Sequence, residues 1–216
     1  MTDRRLTGWL GGTFDPIHEG HLDVARAAHA ALNLSRVVLV PAAVSPFRTA
    51  PTASADHRLA MATLAAASTD WLETSSLELD QPGPSYTAVT LDRLEAQGTS
   101  LSSLCLITGA DAFAGFTRWH RWEDILRRIT VAVVSRPGSS VSDLPAAMPQ
   151  LKGHWLTPTQ ALSRSEEDGP GVVLIDAPTA DVSSTDIRAR LKAGASISGM
   201  VPEAVEVYIR RWTLYG

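Results

Sequence analysis

Gly11-Gly12-Thr13-Phe14-Asp15-Pro16-Ile17-His18-Glu19-Gly20-His21 is the segment whose residue types and spacing could best do chemistry. It joins a glycine turn to two histidines three residues apart, directly after an apolar run. Residues 6–10 read as a short buried strand and 22–32 as an alanine-rich helix, so the segment falls at a strand-to-helix turn. The first amides of a helix lack internal partners and point at what lies ahead of them, which favours a phosphate. Gly11 and Gly12 let an anion approach the backbone, and Gly20 is expected to keep the helix surface open between the histidines. At i and i+3 the imidazoles of His18 and His21 can share one helix face. A blander reading makes Asp15 the helix N-cap, Pro16 the first helical residue and both histidines surface groups.

A second anion cradle is suggested by Ser183-Ser184-Thr185-Asp186-Ile187-Arg188. Ser183 followed by Asp186 approximates a capping box, and Arg188 adds a forked donor set suited to phosphate oxygens. Two further polar segments are Gly83-Pro84-Ser85-Tyr86-Thr87 and Gly109-Ala110-Asp111-Ala112-Phe113, the latter followed by Trp119-His120-Arg121-Trp122. Trp122 reads as a helix-to-core anchor, and His57-Arg58 as a structural helix start.

The elements that must position these groups alternate along the chain. Strands are expected over 36–40, 72–79, 103–108, 130–135 and 172–176, and helices over 57–67, 87–97, 119–127, 184–193 and 202–211. Such alternation favours an α/β fold, a doubly wound, Rossmann-like parallel sheet with helices on both faces and a small C-terminal helical extension. Residues 136–171 read as a connection with one embedded strand at 154–157. The chain is expected to be one domain over 1–216, with a core over 1–176 and a helical part over 177–216 that carries the second cradle. The loops after the first four strands hold nearly every polar cluster, and ligands of open α/β sheets bind at that edge.

The string GGTFDPIHEGH resembles the signature of the bacterial nicotinate-nucleotide adenylyltransferases, which belong to the nucleotidylyltransferase superfamily marked by HxGH or TxGH. SSTDIR is similar to that family's late ISSTxIR motif, with Val182 where isoleucine is usual, and PSYT and GxD resemble further family segments. The resemblance implies that ATP meets Gly11, Gly12, Thr13, Phe14, His18, Gly20, His21, Gly109, Asp111, Ser183, Ser184, Thr185 and Arg188. It makes His18, His21 and Arg188 the catalytic residues. It implies that nicotinate mononucleotide meets Thr13, Arg48, Tyr86, Thr87, Trp119 and His120, with the pyridine ring on Trp119 and its carboxylate on the amides of Thr87 and His120. The loop Pro41-Ala42-Ala43-Val44-Ser45-Pro46-Phe47-Arg48 departs from the family's PNxxPPHK or PPHR: Ala42 replaces an asparagine and Phe47 a histidine, so contacts of those side chains do not carry over.

The implied reaction is adenylyl transfer from ATP to nicotinate mononucleotide, giving nicotinate adenine dinucleotide and pyrophosphate. Mg²⁺ is expected with the ATP, held by phosphate oxygens and water, and no metal site of the protein itself is expected. Zinc is disfavoured because the histidine pair has no third ligand in view. Relatives acting on nicotinamide mononucleotide or phosphopantetheine are the nearest rivals, and a nucleotide sensor without turnover is the alternative from another class. A dehydrogenase is disfavoured by the absence of GxGxxG from the first turn.

Composition sets the outer bounds. With 216 residues the chain can bury roughly 70% of its unfolded surface in one core. A formal charge of −4 argues against a grip on long nucleic acid. No apolar run reaches the ~20 residues that span a bilayer, so no membrane partner is expected and a cytoplasmic location is the default. A homo-oligomer stays open. Cys105, the single cysteine, lies in an apolar run and reads as core.

Overall fold

A computed structural model describes residues 6–46, 50–80 and 83–216. The apolar runs form strands β1 (Thr7–Gly12), β2 (Arg36–Pro41), β3 (Leu72–Thr74), β4 (Leu104–Gly109), β5 (Thr130–Val134), β6 (Trp155–Leu156) and β7 (Val172–Ile175). Between and after them lie helices α1 (Glu19–Ala31), α2 (Ala55–Ala66), α3 (Thr87–Ala96), α4 (Ala110–Phe113), α5 (Trp122–Arg128), α6 (Leu144–Ala147), α7 (Pro158–Ser163), α8 (Ser184–Lys192) and α9 (Glu203–Arg211). The strands make one parallel seven-stranded sheet in the order β3-β2-β1-β4-β5-β7-β6. This is the doubly wound, Rossmann-like α/β arrangement that the alternation predicts.

Strand residues alternate between two cores because successive side chains leave a strand on opposite faces. On β4, Cys105 and Ile107 join a core with Leu10, Ala25, Met61, Ile187, Val205, Ile209 and Tyr215. Leu104 and Leu106 join the other, with Leu91, Leu94, Phe113, Phe116 and Ile125. The C-terminal helices α8 and α9 thus share a core with the first strand and helix. Cys105 is fully buried, as expected, and burial pushes its thiol up to about 12.

The chain leaves β1 for β2 and β3 on one side, then crosses to β4 on the other. Loops following β1 and β4 therefore diverge and leave a crevice at the carboxyl edge between them.

Three expectations need correction. The third strand stops at Thr74, because the amides of Leu79 and Asp80 turn back to the Ser76 carbonyl; the alternation beyond it belongs to a turn, with Leu77 packed on the second core. The helix expected from residue 119 starts at Trp122, because Arg121 takes the left-handed conformation at φ 55° and is held there by Asp92 and Asp124. Residues 136–171 hold α6, α7 and three 3₁₀ turns around the expected strand, since Val141, Leu144, Met148 and Leu151 bury themselves against the second core.

Candidate active site

The turn after β1 is built from the inside outward. Phe14 sits at φ 49°, 1% exposed, with its ring beneath Gly12: a Cβ at Gly12 would lie 2.7 Å from that ring. A Cβ at Gly11 would meet nothing within 4 Å, which leaves the open space an anion needs. The edge of Phe14 meets His21 at 5.0 Å, and His21 stacks on His18 with centroids 3.7 Å apart. His18, not Asp15, is the N-cap of α1, and its backbone N–H donates to His21 Nδ1 at 3.3 Å. An amide can only donate, so Nδ1 accepts and a neutral His21 carries its proton on Nε2. The two histidines thus occupy one helix end, as their spacing predicts.

Asp15 faces inward instead of capping the helix. Its carboxylate accepts from the amides of Thr52 (2.7 Å) and Ala53 (3.0 Å) and from the Tyr215 hydroxyl (2.8 Å), at 4% exposure. These partners lie far away in sequence, which is why the capping reading fails. Gly20 also serves a different end from the one expected. A Cβ there would collide with Arg136 Nη1 and come within 3.1 Å of the Ala180 carbonyl, so the space before Gly20 is filled by protein.

Arg136, which the motifs did not single out, follows β5 and its flanking Ser135 at the same sheet edge. Its guanidinium donates to the carbonyls of Gly20 (2.9 Å) and Val182 (3.2 Å), joining the start of α1 to the approach to α8. A Cβ at Gly109 would lie 2.5 Å from Asp111 Oδ1 and 2.9 Å from Arg136 Cγ. Gly20 and Gly109 therefore both make room for one arginine. Its position just past a strand's carboxyl end was the available signal.

The second cradle docks directly on the first. Ser183 caps α8 by accepting from the Asp186 amide at 3.0 Å, as the sequence suggests. Ser184 Oγ donates to the Pro16 carbonyl at 2.9 Å, and Arg188 Nη1 to the Asp15 carbonyl at 2.6 Å. Arg188 Nη2 reaches Thr185 Oγ1 at 3.4 Å. These bonds use two of the five guanidinium donors and aim the group at the histidine turn.

The loop after β2 is held from below. Arg58, 1% exposed, donates to the carbonyls of Thr13 (2.8 Å), Ala42 (2.7 Å) and Ala43 (3.3 Å). Burial pulls its pKa down while Asp15 and Tyr215 oppose that shift. The amide of Ala42 donates to Gly12 O at 2.9 Å, and that of Ala43 to Ser85 Oγ at 2.9 Å. Backbone groups and Arg58 thus fix this loop where the family pattern has polar side chains. Phe47 and Arg48 lie outside the described residues.

On the acceptor side, Tyr86 is the N-cap of α3 and Thr87 its first residue. The Tyr86 and His120 rings lie 4.9 Å apart, so the two segments predicted to bind one ligand do meet. Half-buried Trp119 packs on Phe116 at 5.4 Å, and Trp122 on Phe116 at 6.1 Å, the latter as the expected core anchor. Beside Thr87 a small cavity is lined by Gly11, Val40, Glu78 and Thr90. Burial raises the Glu78 pKa, and Thr90 Oγ1 donates to this carboxyl group at 2.7 Å.

Among the described residues, no group of three or more His, Cys, Asp or Glu side chains could hold a metal ion. No helix among them is long and apolar enough to cross a membrane.

A glycine turn with paired histidines thus meets a Ser-Thr-Arg helix start at the switch point of the parallel sheet. The model of the cytidylyltransferase-like family matches residues 9–190. The chain is 44% identical over 209 residues to a Roseiflexus sp. (strain RS-1) protein named "probable nicotinate-nucleotide adenylyltransferase", covering 96% of each. It is 39% identical to a protein of the same name from Saccharophagus degradans, covering 95% of this chain and 94% of that one. A solved Plasmodium falciparum nicotinic acid mononucleotide adenylyltransferase complexed with NaAD shares the fold, with TM-score 0.70 at 15% identity over 98% of this chain and 97% of that one. The chain belongs to the cytidylyltransferase-like family and, within it, to the nicotinate-nucleotide adenylyltransferases.

Proposed function

We propose that the protein transfers the adenylyl group of ATP to nicotinate mononucleotide through the joined cradles of α1 and α8. One observation carries this reading: Ser184 and Arg188 bond the carbonyls of Pro16 and Asp15, which brings the starts of α1 and α8 to a single point. A 5′-phosphate oxygen of the acceptor attacks the α-phosphorus of ATP. The bond from that phosphorus to the bridging oxygen breaks, and pyrophosphate leaves with the electron pair.

No side chain has to act as a nucleophile in this scheme. Alignment of two bound reactants is worth roughly 7 to 11 kcal/mol, whereas a helix dipole contributes about 0.3 to 1 kcal/mol. Positioning is therefore the larger task. His18, His21 and Arg188 face the charge that develops on the phosphates, and ATP enters as its Mg²⁺ complex, the ion held by phosphate oxygens and water. Gly11, Gly12, Thr13, Gly109, Asp111, Ser183 and Thr185 complete the ATP side. Tyr86, Thr87, Trp119 and His120 receive the acceptor, with its carboxylate on the Thr87 and His120 amides.

Pyrophosphate release from MgATP tests the reading, with nicotinate mononucleotide, nicotinamide mononucleotide and phosphopantetheine as separate acceptors. Release is expected to be fastest with nicotinate mononucleotide. Release with a rival acceptor alone would overturn the substrate, and nucleotide binding without release would overturn the activity.

A further inference from the structure

The chain's penultimate residue reaches the phosphate turn. Tyr215, 6% exposed, donates from its hydroxyl to Asp15 Oδ1 at 2.8 Å across 200 positions of sequence. To bring the ring there the backbone turns left-handed twice, at Thr213 (φ 48°) and Tyr215 (φ 70°). Side-chain-bearing residues rarely adopt that conformation, and they keep it where surrounding contacts fix it. Asp15 in turn lies three residues before His18, and its own carbonyl accepts from the Arg188 guanidinium. One residue thus connects the C-terminal tail, the histidine turn and the arginine of the second cradle.

We propose that Tyr215 is a positioning residue for adenylyl transfer, acting through Asp15 to hold the turn between Phe14 and His18 in its reactive shape. The ring fills core volume beside Ile187, Val205 and Ile209, a task phenylalanine would perform equally well. Only the hydroxyl separates the two residues. Thr52 and Ala53 bind the Asp15 carboxylate from the loop before α2, and Arg58 backs the turn at the Thr13 carbonyl. Arg188 lies 3.8 Å from Asp15 Oδ2 on the remaining side. Among the described residues, the phenol is the one contact that ties this carboxylate to residues beyond α9. Its burial and the neighbouring Asp15 both raise the phenol's pKa, so it stays a donor throughout the neutral range.

The inference rests on the assignment of this turn to ATP. Tyr215→Phe is expected to lower kcat about tenfold, with the KM for nicotinate mononucleotide within twofold of wild type and a fold intact at assay temperature. In the Asp15→Ala background, which removes the acceptor of the Tyr215 hydroxyl, the same change is expected to have little further effect. Additive losses in the double variant, or a Tyr215→Phe enzyme that melts earlier but turns over normally, would overturn the proposal. If Tyr215→Phe does not fold, hydrogen exchange on the wild-type protein decides: MgATP should slow exchange at residues 213–215, and unchanged exchange there would overturn it. A wild-type protein without adenylyl transfer would instead overturn the functional reading itself.

Discussion

His18 and His21 stack with ring centroids 3.7 Å apart, and the backbone amide of His18 donates to His21 Nδ1. Because Nδ1 of His21 is engaged as an acceptor, a neutral His21 can donate to a ligand only through Nε2, which leaves His18 as the second donor of the pair. His18→Ala is expected to lower kcat by about 10² to 10³, the scale of one donor lost from developing charge, and to change the KM for ATP far less. Steady-state kinetics at saturating MgATP check both parts.

Arg136 is expected to govern how well the two cradles stay together. Arg136→Met removes charged donors from the carbonyls of Gly20 and Val182. Each such bond is worth about 1.5 to 3 kcal/mol, so a total loss of about 3 kcal/mol is expected after relaxation. The KM for ATP should rise severalfold. Arg136→Lys should fail to restore it, since one ammonium cannot reproduce the fork across two carbonyls. Urea unfolding and the ATP dependence of rate report the two effects separately, and a lysine variant equal to wild type in both would contradict this role.

Strands β2, β4, β5 and β7 were legible because each is a short β-branched or leucine-rich run, and the histidine turn because glycines and histidines fall together at a strand end. What was not legible depends on partners distant in sequence. Asp15 precedes Pro16 and a helix, the local pattern of an N-cap, yet its carboxylate is claimed by Thr52, Ala53 and Tyr215. Periodicity carries the α5 helix back to Trp119, but Asp92, 29 residues earlier, holds Arg121 in the left-handed turn that ends it. Gly20 looks like an opening for a ligand until Arg136 is placed, 116 residues away. Local spacing records which groups are available; it does not record which of them another segment has already engaged.

Arg58 is expected to be the largest single stability determinant of the loop after β2. It is 1% exposed and serves three carbonyls, of Thr13, Ala42 and Ala43. Arg58→Met leaves those acceptors without their donor and Asp15 with Arg188 as its one nearby cation among the described residues. Breaking a buried charged arrangement in this way costs about 3 to 5 kcal/mol. The urea midpoint should fall accordingly. Because Ala43 is also tied to Ser85 in the acceptor segment, the KM for nicotinate mononucleotide should rise in any variant that still folds. A variant with an unchanged midpoint would show that the loop is held by its backbone contacts alone.

Alkaline pH should destabilise the protein through the Cys105 thiol. Burial raises its pKa from 9.0 to about 12, so the folded state holds the proton more tightly than the unfolded chain does. A group raised in this way contributes stability that is fully present below its unfolded pKa and lost as pH rises through its folded one. The loss therefore begins near pH 9 and continues towards 12, with a slope of at most about 1.4 kcal/mol per pH unit for one such group. Tyr215, also raised by burial, adds a second loss in the same direction at higher pH. Urea unfolding at one-unit steps from pH 8 to 11 should show wild type losing stability faster than Cys105→Ala. The alanine variant starts lower by a constant cavity cost, and the gap should close as pH climbs. Parallel curves for the two proteins would mean that the thiol ionises in the folded state as readily as in the unfolded one, and would overturn this prediction.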